Sequence, residues 1–193
     1  DRAALKSQLS DISPAGNARW SQQVKAMKQA LGRIDPATLD AADRLRYETI
    51  GYAADRGIDG LAFPYGAGGA ASGFQGGATP YIVSQQNGAV SSVPEFLDSQ
   101  HLIATKEDCD AYVARVAAFA RQIDQETAQI KADAAHGVMP PGFIAKTTLG
   151  QLKGFRATPA AEQRLVSSLA TRAQKAGIAG DWAAQCTKLL EAQ

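Results

Sequence analysis

Cysteine and histidine are scarce in this chain of 193 residues, which carries two of each. Cys109 and Cys186 stand neither in C-x-x-C spacing nor beside a histidine, so neither a zinc knuckle nor a dithiol redox motif is supported. The pair could close a disulfide in an oxidising compartment, but two free buried thiols are the simpler reading. No run of about 18 apolar residues occurs, which excludes a membrane-spanning helix. Charge of one sign is missing too: 20 basic and 19 acidic residues are interspersed and leave a net charge of +1, with no electrostatic footprint for nucleic acid. At 45% apolar and 20% charged residues the composition is that of a globular chain, long enough for one domain or two closely packed halves. The sequence opens on Asp1 without the basic, apolar and small-residue order of a signal peptide, so it reads as a mature or trimmed form.

Glycine, by contrast, is plentiful. "GAGGAA", Gly66 to Ala71, fits the G-x-G-x-x-G/A pattern that cradles a pyrophosphate. That chemistry requires a buried strand leading in and a helix starting on the last residue, because the helix N-terminus supplies the N–H groups. Here "GIDGLAFPYG" precedes and "SGFQGGATP" follows, and neither flank qualifies. Residues 64–79 therefore read as a Gly-rich surface loop, and Ser72 within it lacks the G-x-S-x-G frame of a nucleophile elbow.

The remaining sequence is dominated by helical periodicity. Ser13-Pro14 has an N-cap followed by proline at the first helical position, and Trp20, Val24, Met27, Leu31 and Ile34 recur at steps of three and four. Asp35-Pro36 closes that helix. Asp40 with Asp43 caps the next, whose apolar face is Tyr47, Ile50, Ala54, Ile58 and Leu61, with fraying expected near Gly57 and Gly60. Thr105 with Asp108 forms a capping box for a long helix with Tyr112, Val116, Phe119, Ile123, Ile130 and Ala134 along its seam, ended by Gly137. Pro141 opens a helix carrying Phe143, Ile144, Leu149 and Leu152; Thr158-Pro159 caps one with Leu165, Leu169 and Ala173 on one face, which runs until Gly177; Asp181 caps a last one with Trp182, Cys186, Leu189 and Leu190.

One stretch breaks the helical pattern. Tyr81 to Gln86 and Ala89 to Val93 are β-prone runs on either side of Asn87-Gly88, the dipeptide that best fits a tight hairpin turn. Pro94 then starts a short helix through "EFLDSQH". The expected fold is mainly α, one helical domain over 1–193 of long amphipathic antiparallel helices, with one β-hairpin near residues 80–93.

Residues able to carry chemistry are few. Glu95, Asp98 and His101 follow at i, i+3 steps and could act together, although a solvated helix end with histidine near the negative dipole pole is more ordinary. His136, in the last turn before Gly137, has the same structural explanation. The polar run Ser84, Gln85, Gln86 and Asn87 could hydrogen-bond a peptide backbone. Tyr81, Gln85, Gln86, Asn87 and His101 are accordingly the ligand-binding candidates, with no catalytic or metal residue and no cofactor assigned.

Taken together, "TPYIVSQQNGAVSSVPEFLDSQH" (Thr79 to His101), the acidic-capped long helix after it, "GVMPPGFI" (Gly137 to Ile144) and the upstream "DRLRYETIGYAADR" (Asp43 to Arg56) resemble the bacterial domain-of-unknown-function 885 family. The resemblance implies the N-terminal helical part of a longer, exported protein, periplasmic or lipid-anchored in the cell envelope and built like a zinc metallopeptidase of the gluzincin kind. Zinc is implied for the full-length family through an H-E-x-x-x-G-H type helix that no position here matches. On this resemblance the chain is the non-catalytic, substrate-cleft half, whose partners are the C-terminal remainder and a peptide substrate. The alternative is a helical envelope scaffold or binding module without a catalytic role.

Overall fold

The computed structural model of the chain describes residues 2–67 and 79–192. The helices, in chain order, are α1 (Arg2–Leu5), α2 (Pro14–Leu31), α3 (Ala41–Gly60), α4 (Ala89–Ser99), α5 (Lys106–Ala135), α6 (Gly142–Ala157), α7 (Arg164–Lys175) and α8 (Trp182–Glu191), with 3-10 turns at Pro36–Thr38 and Ala160–Glu162. The chain divides into two compact units. One comprises Asp1–Leu9, Val83–Thr127 and Pro140–Gln193; the other comprises Ser10–Ile82 and Ala128–Met139.

In the second unit, α2 packs on α3. The Ser13 hydroxyl accepts the Gly16 N–H at 3.1 Å, Pro14 occupies the first turn, and the Asp40 carboxylate accepts the Asp43 N–H at 2.8 Å, so both helices start where their caps dictate. Gly57 does not fray α3, which continues to Gly60. A Cβ on Gly57 would stand 3.3 Å from the Trp20 ring, so glycine lets the two helices approach. Met27, Ile34 and Ile50, assigned to buried faces by periodicity, are exposed. Beyond α3, Gly66 takes a φ of 75° and donates its N–H to the buried Asp133 carboxylate at 3.1 Å. Ala67 and Thr79 then form an isolated antiparallel bridge. Any Cβ at Gly66 would meet the Thr79 carbonyl oxygen at 2.1 Å, which reserves the position for glycine. The rest of the "GAGGAA" stretch and Ser72 lie outside the described residues.

The first unit holds the main apolar core, where Ala89, Val93 and Leu97 of α4, Cys109, Tyr112, Val116 and Phe119 of α5, Leu165, Leu169 and Ala173 of α7, and Trp182 and Cys186 of α8 come together. The capping box of α5 forms as the sequence requires: Asp108 Oδ2 accepts the Thr105 N–H at 2.9 Å, and the Thr105 hydroxyl accepts the Asp108 N–H at 3.3 Å. Gly137 (φ 76°) and Gly177 (φ 69°) adopt the left-handed conformation expected after α5 and α7.

The expected hairpin is absent, and no strand occurs among the described residues. Ala89 to Val93, read as its second strand, forms the first half of α4, and Pro94 lies inside that helix rather than at its start. Spacing explains the outcome. Ala89, Val93 and Leu97 are four apart and all reach the core from one side of a helix, whereas a strand would put Ser91 and Glu95 on the same face as them. This burial outweighs the cost of Pro94, which cannot donate to the Val90 carbonyl.

Candidate functional site

The turn at 83–88 and the start of α4 converge on one buried carboxylate. The Ser84 hydroxyl accepts the N–H groups of Gln86 (3.1 Å) and Asn87 (3.2 Å), and the Ser84 N–H donates to the Asn87 carbonyl at 3.1 Å. That local ring turns the chain without a hairpin. Gly88, at φ 115°, delivers it into α4, and the Gly88 carbonyl accepts from Ser91 and Ser92 as the first helical turn closes. Gly88 has no side chain to cap the helix. The cap comes from 37 residues along the sequence: the Ala89 N–H donates to Glu126 Oε1 of α5 at 2.7 Å.

Glu126 is only 6% exposed. Burial pushes its carboxyl up to about 7, against the single Ala89 hydrogen bond that pulls it down. A carboxyl titrating there can take or release a proton near neutrality. One turn earlier on α5, the buried Gln122 side-chain oxygen has no hydrogen-bond partner among the described residues.

Of the residues singled out from sequence, three share the turn. Gln85 is half-buried; its backbone carbonyl accepts from Gln151 Nε2 of α6 at 3.2 Å, and its side-chain oxygen is buried without a partner among the described residues. Gln86 is exposed and Asn87 half-buried. Tyr81 belongs to the second unit, where its carbonyl accepts the Thr79 hydroxyl at 3.1 Å. His101 is held by a different set of groups. It is 2% exposed, not a solvated helix end, with Nε2 at 2.9 Å from the Asp108 carbonyl and Nδ1 at 2.6 Å from Arg115 Nη1. Its i, i+3 neighbours on α4 are engaged elsewhere: Arg164 reaches Glu95 at 2.9 Å and also pairs with Asp98. His136 Nδ1 lies 2.8 Å from the Ala132 carbonyl in the last turn of α5.

Glu126 and Gln122 escaped the sequence reading, yet a signal for Glu126 was present. Tyr112, Phe119, Glu126 and Asp133 follow at intervals of seven and are all buried. The seam of α5 thus passes from apolar to acidic residues, while Ile130, assigned to it, is exposed. Among the described residues, no group of three or more His, Cys, Asp or Glu side chains is placed to hold a metal ion. Cys109 and Cys186 are free thiols. Burial pushes both up, Cys186 to about 11, so neither is a thiolate nucleophile at neutral pH.

The family model for a bacterial protein of unknown function, DUF885, matches residues 1–193. The chain belongs to that family. No curated protein matches it. The crystal structure of "the putative lipoprotein from Colwellia psychrerythraea" superposes with a TM-score of 0.80 at 17% identity, over 97% of this chain and 32% of that one. At this identity the likeness speaks for the fold of the DUF885 chain, which spans about a third of the length of that protein. No helix among the described residues is long and apolar enough to cross a membrane.

Proposed function

We propose that the chain is the non-catalytic helical part of a larger cell-envelope protein of the DUF885 family, one resembling zinc peptidases, and that it forms one wall of that protein's substrate cleft. In this reading the wall is the turn carrying Gln85, Gln86 and Asn87, with Glu126 and the start of α4 behind it. Amide groups there suit an extended peptide, whose backbone offers both donors and acceptors. Zinc and the catalytic residues belong to the remainder of the protein.

The observation that carries the proposal is the surface of α6. Phe143 is 72% exposed, Leu149 49% and Leu152 37%, all on one helix of sixteen residues. Three large apolar side chains exposed within ten residues of one helix suit a surface that another part of a protein covers. The lipoprotein with the same fold is about three times as long, and its description as a lipoprotein supports an envelope location. Light scattering on the purified chain tests the proposal: self-association through α6 supports it, and a monomer at every concentration favours a self-contained envelope scaffold or binding module.

A further inference from the structure

One guanidinium ties the buried histidine to the beginning of the chain. Arg115 of α5 donates from Nη1 to His101 Nδ1 (2.6 Å), from Nε to the Gln8 carbonyl (2.9 Å) and from Nη2 to the Leu5 carbonyl (3.1 Å), while its plane lies 4.8 Å over the Phe96 ring. Since Arg115 is a donor, His101 Nδ1 must accept, and the ring proton sits on Nε2, directed at the Asp108 carbonyl. The histidine is therefore neutral in this arrangement. Its lone pair completes the set of bonds that orients Arg115 towards residues 5 and 8.

We propose that His101 works as a proton-operated clasp on residues 5–8: a proton taken up at Nδ1 replaces the acceptor by a second donor, expels the Arg115 guanidinium and releases the carbonyls of Leu5 and Gln8. The surroundings oppose a charged ring from nearly every side. Arg115 faces it from α5, and Arg172 of α7 donates to the carbonyls of Leu97 (2.8 Å), Asp98 (3.0 Å) and His101 itself. The Tyr112 ring meets it edge-on at 5.3 Å. Asp108 is the anion that favours a charged ring, and Lys6 of the opening segment pairs with it. Burial, with help from both arginines, holds the His101 ring below the usual histidine range against the Asp108 interactions that raise it. Burial raises the Asp108 carboxyl, but Lys6 and the N–H groups of Ala104 and Thr105 outweigh it and hold the group at about 2. The Lys6 pair thus survives mild acid, and the clasp opens at Arg115 first.

Hydrogen exchange of the 193-residue chain, corrected for intrinsic rates and followed from about pH 8 to about pH 5 alongside NMR of the His101 ring, tests this. The expected result is that protection of amides 4–9 falls about tenfold per pH unit once the ring titrates, one proton being taken up per opening, while α5 amides near Tyr112 stay protected. His101→Gln, which cannot take up a proton, should remove the pH dependence. A ring that titrates while amides 4–9 stay protected overturns the proposal, as does a ring that stays neutral until the whole chain unfolds. If His101→Gln does not fold, the wild-type midpoints decide: loss of protection and ring titration have to coincide.

Discussion

Replacing Glu126 by Gln tests the energetic reading of the buried carboxylate most sharply. The glutamine retains shape and an oxygen to accept the Ala89 N–H, but it cannot ionise. In the native chain the carboxyl is displaced from 4.5 to about 7, chiefly by burial. The folded state therefore binds a proton that the unfolded chain has already lost between those values, and stability falls as pH rises through that window. At about 1.4 kcal/mol for each tenfold change in acidity, the displacement is worth ~3 kcal/mol above about pH 8. The new amide NH2 group needs an acceptor, which returns ~1 kcal/mol of that gain. Glu126→Gln should thus be ~1–3 kcal/mol more stable than the parent in mildly alkaline buffer, a rise in Tm of roughly 2–4 °C for each kcal/mol. At about pH 4 the two proteins should be equally stable or the variant slightly worse. Urea unfolding at the two pH values measures both. A variant less stable than the parent at alkaline pH would refute the argument, because it would mean the ionised carboxylate contributes more as a helix cap than its burial costs.

Two further outcomes follow from the same unit. Gly88→Ala should lower stability by ~1–3 kcal/mol, since φ is 115° and the added Cβ would stand 3.2 Å from both Val83 methyl carbons; an unchanged urea midpoint would contradict this. Cys109 and Cys186, both buried with raised pKa, should resist a thiol-directed reagent in the folded chain and react fully in denaturant; prompt native labelling of either would show that the core around it opens readily.

How much of this was legible in the sequence depends on whether the deciding interaction is local. Ser13-Pro14, Asp40, Thr105 with Asp108, Gly137 and Gly177 mark helix ends through bonds spanning a few residues, and each does so in the structure. Asn87-Gly88 is an equally strong local signal, but for a hairpin, and it was overruled from a distance. The burial of Ala89, Val93 and Leu97 against α5 and α7, with the Glu126 cap 37 residues away, decides for helix, and no window around residue 88 contains those partners. Apolar periodicity likewise states which residues share a face and not which face is covered. Ile50, Ile130, Phe143 and Leu149 fit their helical patterns and still point to solvent. The polar candidates on the turn were visible as a run of amides. The buried acid behind them was not, because glutamate on a long helix ordinarily marks the solvated side, and only its interval of seven from Phe119 argued otherwise.

The claim that this DUF885 chain is one part of a larger envelope protein is tested most directly at α6. Light scattering coupled to size-exclusion chromatography should show the chain exceeding its monomer mass of 20.2 kDa as concentration rises. Replacing the exposed Phe143, Leu149 and Leu152 together by serine should return it to the monomer without lowering its thermal stability. A parent chain that remains monomeric at high concentration, or association that the triple substitution leaves untouched, would contradict the account.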